Sequence, residues 1–306
     1  MLRRLVIAIT IIAVLGGGAF WLLTIPKTVT SGELGPHDAD LANGRVMFIA
    51  GGCSSCHAVP GAEDKTRLGG GLRLKSPYGT FYVPNISSDR TDGIGGWSEA
   101  DFVTALSKGT SPDGRHYYPA FPYTSYQRIA VDDLRDLFAY VKTLPAVSGR
   151  VREHDLPFPF TVRRGLGLWK LLYLDGAPFR PDPTKSAVLN RGAYLVEGAA
   201  HCAECHSPRN PIGGIIAAQR FAGGPNPEGK GWVPNITPKE LGDWSDKDIA
   251  YLLETGQTPD GDSVGGSMGE VVRHTAELAP EDRAAIAAYI KSLPPVEGPK
   301  PEKKKK

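Results

Sequence analysis

The chain has 306 residues, room for two domains of ordinary size, and its formal net charge of +2 with 22% charged residues argues against a nucleic-acid partner. Its 37 glycines and 26 prolines make it rich in turns and poor in long regular elements. No G-x-G-x-x-G after a strand, no nucleophile elbow and no carboxylates clustered beside a metal motif point to a catalytic site of those kinds.

The N-terminus reads Met1-Leu2-Arg3-Arg4 followed by an apolar run from Leu5 to Leu23. At ~1.5 Å per residue this run makes about 28 Å of helix, enough to cross a bilayer. Arg3 and Arg4 would stay on the cytoplasmic side, Trp21 would lie near the outer interface, and Pro26 would end the helix. Residues 1–25 are therefore expected to be a membrane anchor, or else a signal peptide cleaved after Ala19, where Gly17 and Ala19 satisfy the small-residue rule. Either way the remainder is exported.

A five-residue unit occurs twice, Cys53-Ser54-Ser55-Cys56-His57 and Cys202-Ala203-Glu204-Cys205-His206, and the chain has no other cysteine. C-x-x-C-H is the attachment pattern of a c-type haem. Two thiols three positions apart can add to the two vinyl groups of one porphyrin, and the following histidine binds the iron. Disulfide pairs and a C-x-x-C zinc clamp are the competing readings, but neither requires a histidine after the second cysteine, twice. The expected cofactors are two covalently bound haem c groups, with Cys53, Cys56, His57, Cys202, Cys205 and His206 as their protein partners. With every cysteine so used, stability must come from burying the porphyrin and packing helices around it.

The units belong to an internal duplication. Cys53 and Cys202 are 149 apart, and Val83-Pro84-Asn85-Ile86 recurs 150 later as Val233-Pro234-Asn235-Ile236. Trp97-Ser98 and Pro112-Asp113-Gly114 recur 147 later, and Tyr140 to Pro145 recurs 149 later. Each copy reads as helices around a loop-rich pocket. A short helix runs into the cysteines over Leu41 to Ala50 and over Leu189 to Val196, with Gly44 and Gly192 permitting close approach of another helix. Ser98 with Asp101, and Ser245 with Asp248, mark N-caps with an acid three positions on. A last helix carries Leu134, Leu137, Phe138 and Val141 in one copy and Ile286, Tyr289 and Ile290 in the other, closed by Pro145 and Pro294. His57 and His206 each need a partner for the second ring nitrogen. The carbonyls of Pro84 and Pro234 and the side chains of Asn85 and Asn235 are alternatives, and the repeat of this segment for packing reasons is a third. His37, His154, His201 and His274 have no counterpart in the other copy and are expected to be exposed.

Between the copies, residues 148–185 hold Pro157, Pro159, Pro181 and Pro183 among Phe158, Phe160, Trp169, Tyr173 and Phe179, too apolar for a free linker. The connector is expected either to dock on both haem domains or to offer an apolar face over Leu166 to Leu174 to the membrane or a partner subunit. Residues 297–306 are expected to form a basic tail, with Lys303 to Lys306 solvated or held near anionic lipid.

The duplication, with Val83-Pro84-Asn85-Ile86 and the stretch Gly114-Arg115-His116-Tyr117-Tyr118-Pro119-Ala120-Phe121-Pro122-Tyr123, resembles the membrane-bound cytochrome c subunits of periplasmic alcohol and sugar-acid dehydrogenases over residues 38 to 296. Those subunits commonly have three haem domains, against two here. The resemblance implies all-α cytochrome c domains at 38–147 and 186–296 behind the N-terminal transmembrane helix, on the periplasmic side of a bacterial inner membrane. The implied partners are a periplasmic dehydrogenase subunit and, as acceptor, quinone or another cytochrome. It also implies a methionine iron ligand in the loop after the Pro-Asp-Gly turn, which here is Met268. The 147 shift carries Met268 back to Phe121, so the first haem is left with His57 and an open or water-bound iron, with His116, or with another residue as ligand. That vacancy supports a second expectation, a di-haem enzyme of peroxidase type.

Overall fold

The computed structural model describes residues 1–227, 229 and 231–301, and Lys303 to Lys306 of the basic tail lie outside them. Helices dominate. Helix α1 (Leu2–Leu23) has no buried residue and is the one described helix long and apolar enough to cross a membrane.

The first repeat comprises α2 (Leu41–Ala50), α3 (Cys53–His57), an antiparallel hairpin of β1 (Arg73–Ser76) and β2 (Gly79–Tyr82), then α4 (Glu99–Lys108), α5 (Tyr123–Tyr126) and α6 (Val131–Thr143). Helix α7 (Leu166–Tyr173) lies in the connector. The second repeat runs through α8 (Ala187–Tyr194), a π-helical turn at Leu195–Ala199, α9 (Ala203–His206), the two-residue strands β3 (Gly224–Pro225) and β4 (Trp232–Val233), α10 (Pro238–Leu241), α11 (Asp246–Thr255), α12 (Ser267–Thr275) and α13 (Pro280–Ser292).

The same local rules build both copies. Helices α4 and α11 open with capping boxes in which Ser98 and Ser245 accept from the backbone N–H of Asp101 and Asp248, whose carboxylates reach back to the cap residues. Both helices end on a left-handed glycine, Gly109 (φ 58) and Gly256 (φ 76). Helix α2 crosses α6, and α8 crosses α13, at glycines that no larger residue could replace. A Cβ on Gly44 would lie 2.2 Å from the Asp136 carbonyl oxygen, and one on Gly192 would lie 1.9 Å from that of Ala285. Close approach brings Met47 and Phe48 into one apolar cluster with Leu134, Leu137, Phe138 and Val141. Full burial of a side chain such as Leu134 contributes about 2 kcal/mol.

The chain between these elements is sewn down rather than free. Before α2, Val29 N donates to Thr104 Oγ1 at 2.8 Å, and the His37 ring meets the Asp136 carboxylate at 2.6 Å. The start of the connector belongs to the first repeat, since Asp155 bridges Thr80 beside the hairpin. At the other end Glu297 pairs with Lys239, and Gly298 packs on the Ala222 carbonyl, so the stretch before residue 302 is fastened to the second repeat.

Candidate haem-binding sites

Each C-x-x-C-H unit forms a short helix, α3 or α9, and none of the four cysteines is in a disulfide. Among the described residues no three His, Cys, Asp or Glu side chains gather as a metal cluster. His57 Nδ1 lies 2.9 Å from the Pro84 carbonyl oxygen, and His206 Nδ1 lies 2.8 Å from that of Pro234. A carbonyl only accepts, so Nδ1 carries the proton in both rings and Nε2 keeps the lone pair that iron requires. Burial, partly opposed by the proline carbonyl, pushes the His57 pKa down to about 4 and lowers that of His206, so both rings stay neutral near pH 7. Two thiols of one short helix beside a neutral imidazole with Nε2 available fit a covalently attached haem.

Of the alternatives for orienting these histidines, the proline carbonyls are the partners. Asn85 and Asn235 act one step further out. Asn85 Nδ2 donates to the Val147 carbonyl and Asn235 Nδ2 to that of Val296, tying each proline loop to the chain beyond the last helix of its repeat. A third support was not singled out from the sequence. Gly70 N donates to the His57 carbonyl and Gly223 N to that of His206, both at 2.8 Å. Both glycines have positive φ, and a Cβ on either would strike the proline loop at 2.5 and 2.6 Å. The signal was present as Gly70-Gly71 and Gly223-Gly224, but these pairs are 153 apart and fall outside the 147 to 150 register.

On the opposite side the repeats keep register for a while and then part. Thr110 bridges His116 as Gln257 bridges Ser263, and Tyr117 N bonds to the Gly109 carbonyl as Val264 N does to that of Gly256. Four residues later stand Phe121 and Met268, so the shift of 147 holds in space up to that point. Met268 lies in the first turn of α12, partly buried against the core. Phe121 sits in an aromatic cluster, its ring 5.6 Å from those of Tyr117 and Tyr126. Tyr126 is buried close to the first attachment site, its phenol pKa raised by burial and then by Cys53 and Cys56.

His116 is buried, and its Nε2 donates to the Thr24 carbonyl at 2.9 Å. Its Nδ1 and the Tyr123 hydroxyl are buried without a hydrogen-bond partner. Thr24, the residue that ends α1, is itself fully buried. Arg164 donates to Thr24 Oγ1 and to the Trp21 carbonyl, with its guanidinium 4.1 Å from the Trp21 ring centre. His116 therefore belongs to a socket that grips the end of the apolar helix.

The two haem-attachment units abut, each against the distal segment of the other repeat. Ser54 Oγ lies 2.7 Å from His274 Nε2 on α12, the helix that carries Met268. In the reverse sense Glu204 accepts from Thr124 Oγ1 at 2.7 Å and Ser125 Oγ at 2.8 Å, on the segment following Phe121. Glu204 is buried, which alone would raise its pKa. The Arg209 guanidinium and the hydrogen bonds from Thr124, Arg209 and Ser125 outweigh that effect and hold the carboxyl below its usual range. His201, just before the second unit, reaches toward the Gly51 carbonyl just before the first, at 3.3 Å. The expected exposure of His37, His154, His201 and His274 is thus corrected. All four are partly buried and bonded, His154 accepting from Tyr82 N, because packing between distant segments recruits them.

The connector docks on both repeats. Lys170 Nζ donates to the carbonyls of Lys108 and Gly109 at the end of α4, while Trp169 Nε1 donates to the Ile212 carbonyl and Tyr173 Oη accepts from Asn210.

Residues 41–145 and 189–294 each match the Cytochrome c family. The chain belongs to the cytochrome c family. This cytochrome is 48% identical, over 97% of its length and all of the relative's, to a diheme cytochrome c-type protein of Cereibacter sphaeroides. With the fructose dehydrogenase cytochrome subunit of Gluconobacter japonicus it shares 37% identity over 84% of its length and 53% of the relative's. It is 35% identical over 84% of its length to the gluconate 2-dehydrogenase cytochrome c subunit of Pantoea cypripedii, of which it spans 60%. It therefore spans little more than half the length of these dehydrogenase subunits. This cytochrome carries two covalently bound haem c groups and serves electron transfer.

Proposed function

We propose that this cytochrome is the electron-transfer partner of a periplasmic dehydrogenase, passing electrons to quinone or another cytochrome from a bacterial inner membrane in which α1 is the anchor. The observation that carries this reading is the reciprocal interface. Each attachment unit is bonded to the distal segment of the other repeat, through Ser54 with His274 and Glu204 with Thr124 and Ser125. Such an arrangement holds two redox centres at a fixed separation. Dehydrogenase cytochrome subunits among the relatives support the choice of donor.

Cys53 and Cys56 would hold one haem and Cys202 and Cys205 the other, with His57 and His206 binding the irons. When bound, each haem supplies a one-electron couple. The protein's part is to keep both imidazoles neutral and aimed, through the carbonyls of Pro84 and Pro234 and the glycine loops beneath them. Met268 would bind the iron of the second haem through its thioether. Phe121 offers no donor atom at the first, and His116 is held through Nε2 on Thr24 at the end of α1, so we assign His116 to the α1 socket and propose that Cys53, Cys56 and His57 alone would hold the first haem.

Membranes containing the full chain test this. Substrates of a co-purifying dehydrogenase should reduce both haems, and Cys202→Ala, which disrupts the second attachment, should block onward reduction of the acceptor. Isolation of the chain without a dehydrogenase, together with hydrogen peroxide turnover far above background, would instead establish the peroxidase-type reading.

A further inference from the structure

Helix α7 is gripped on one side and bare on the other. Its Gly167 meets Thr24 so closely that a Cβ there would lie 2.6 Å from the Thr24 Cβ, which places α7 directly against the end of α1. Lys170, Trp169 and Tyr173 face the body of the protein, bonded to Gly109, Ile212 and Asn210 respectively. At ~100° per residue, Leu168, Leu171 and Leu172 fall on the opposite side, bordering Gly167. All three are exposed, Leu172 by 68%, and in the loop leading to α7 Phe158 is exposed by 81%. Eight residues of helix span about 12 Å, so the whole leucine face lies within that distance of the point where α1 emerges.

That position selects the occupant. A helix that crosses a hydrocarbon core of about 30 Å emerges into a headgroup layer several ångströms deep on each side. Trp21 with Arg164 stacked upon it is the arrangement found at that depth, an aromatic ring in the interface and a cation reaching toward phosphate. A short helix with leucines on its outer face, held beside that pair, meets lipid before it meets water.

We propose that α7 and the loop before it lie in the outer interface of the bilayer, with Leu168, Leu171, Leu172 and Phe158 immersed in lipid. This contact gives the cytochrome a second hold on the membrane and fixes the tilt of both haem-binding repeats over it. The inference rests on α1 spanning the bilayer, and the experiment separates the two.

All four native cysteines are consumed by haem, so a single introduced cysteine is a unique attachment point for a nitroxide. The full-length holoprotein is reconstituted into vesicles of phosphatidylethanolamine and phosphatidylglycerol with labels on Leu172→Cys, Phe158→Cys, Ile12→Cys and Val188→Cys, each verified to retain both haem absorption bands. Collision with oxygen is then compared with collision with a water-soluble nickel chelate. The oxygen-to-chelate ratio at 172 and 158 should exceed that at 188 several-fold and approach that at 12. A lipid-like ratio at 12 with water-like ratios at 172 and 158 overturns this inference and leaves the anchor standing. A water-like ratio at 12 overturns both. Protection of 172 and 158 from oxygen and chelate alike would show a protein surface there, and would also overturn contact with lipid.

Discussion

In the first repeat the distal segment runs from His116 through Phe121 into the four-residue α5, and Tyr117, Phe121 and Tyr126 form a ring cluster there. In the second, the corresponding segment runs from Ser263 through Gly265 and Gly266 into the nine-residue α12, with Met268 in its first turn. The proximal sides, by contrast, match bond for bond, from the proline carbonyls on His57 and His206 to Gly70 and Gly223 under them. The difference teaches where a duplicated protein is free to diverge. Both copies must aim a histidine, so that machinery is held in duplicate. Only one copy receives the end of α1, and His116 serves there where the other copy has Ser263.

The largest effects should come from exchanging the distal residues. Met268→Ala should lower the midpoint potential of one haem by about 0.1–0.2 V, a fraction of the roughly 0.8 V over which axial ligands set haem potentials, and leave the other in place. Phe121→Met should raise the potential of the first haem toward that of the second. Redox titration reads both, and two unmoved potentials in Met268→Ala would remove the methionine assignment. Electron paramagnetic resonance of the oxidised wild type should show one high-spin and one low-spin haem, unchanged in spin state by His116→Ala. Two low-spin haems, one of them altered by that substitution, would instead assign His116 to iron.

The helix crossings test the part of the comparison that is symmetric. Gly44→Ala and Gly192→Ala each drive a methyl into backbone, at Asp136 and Ala285, and each should destabilise the protein by about 3 kcal/mol in denaturant titrations of the holoprotein. Tolerance of one and not the other would show that the copies pack differently.

Across the interface the roles are unequal again. Glu204→Ala strands partly buried Arg209 along with the Thr124 and Ser125 hydroxyls and should cost about 2 kcal/mol, whereas Ser55→Ala at the matching position should cost less than about 0.5 kcal/mol. Equal thermal shifts for the two would deny Glu204 its place as the link between repeats.

The last test concerns how each repeat finishes its capped helix. A buried cation, Lys170, holds the last carbonyls of α4, while the Thr275 hydroxyl donates to the Leu253 carbonyl on α11. Burial pushes the Lys170 pKa down to about 7, against about 10.4 in the unfolded chain. Between those values the unfolded state binds the extra proton, so stability should rise as pH climbs from 7 to 10, by up to about 3 kcal/mol, and be flat below. Lys170→Met should lose that rise in chemical denaturation at pH 7 and pH 9, and its persistence would place the titration elsewhere.

Much of this was legible in the linear sequence because it depends on residues close together in the chain or on exact repetition. The two C-x-x-C-H units, the apolar length of α1, the capping boxes at Ser98 and Ser245, the close-approach glycines Gly44 and Gly192 and the pairing of Phe121 with Met268 all follow from spacing, period and register. The tertiary structure decided what spacing cannot express. It chose the proline carbonyls over Asn85 and Asn235 as histidine partners, turned His116 toward Thr24, 92 positions away, and set Glu204 against Thr124 and Ser125 across the interface. It also drew His37, His154, His201 and His274 out of the solvent in which the sequence had left them. A buried polar group must find a partner wherever the fold brings one, and which distant segment arrives is settled by the packing of the whole chain rather than by the residues on either side.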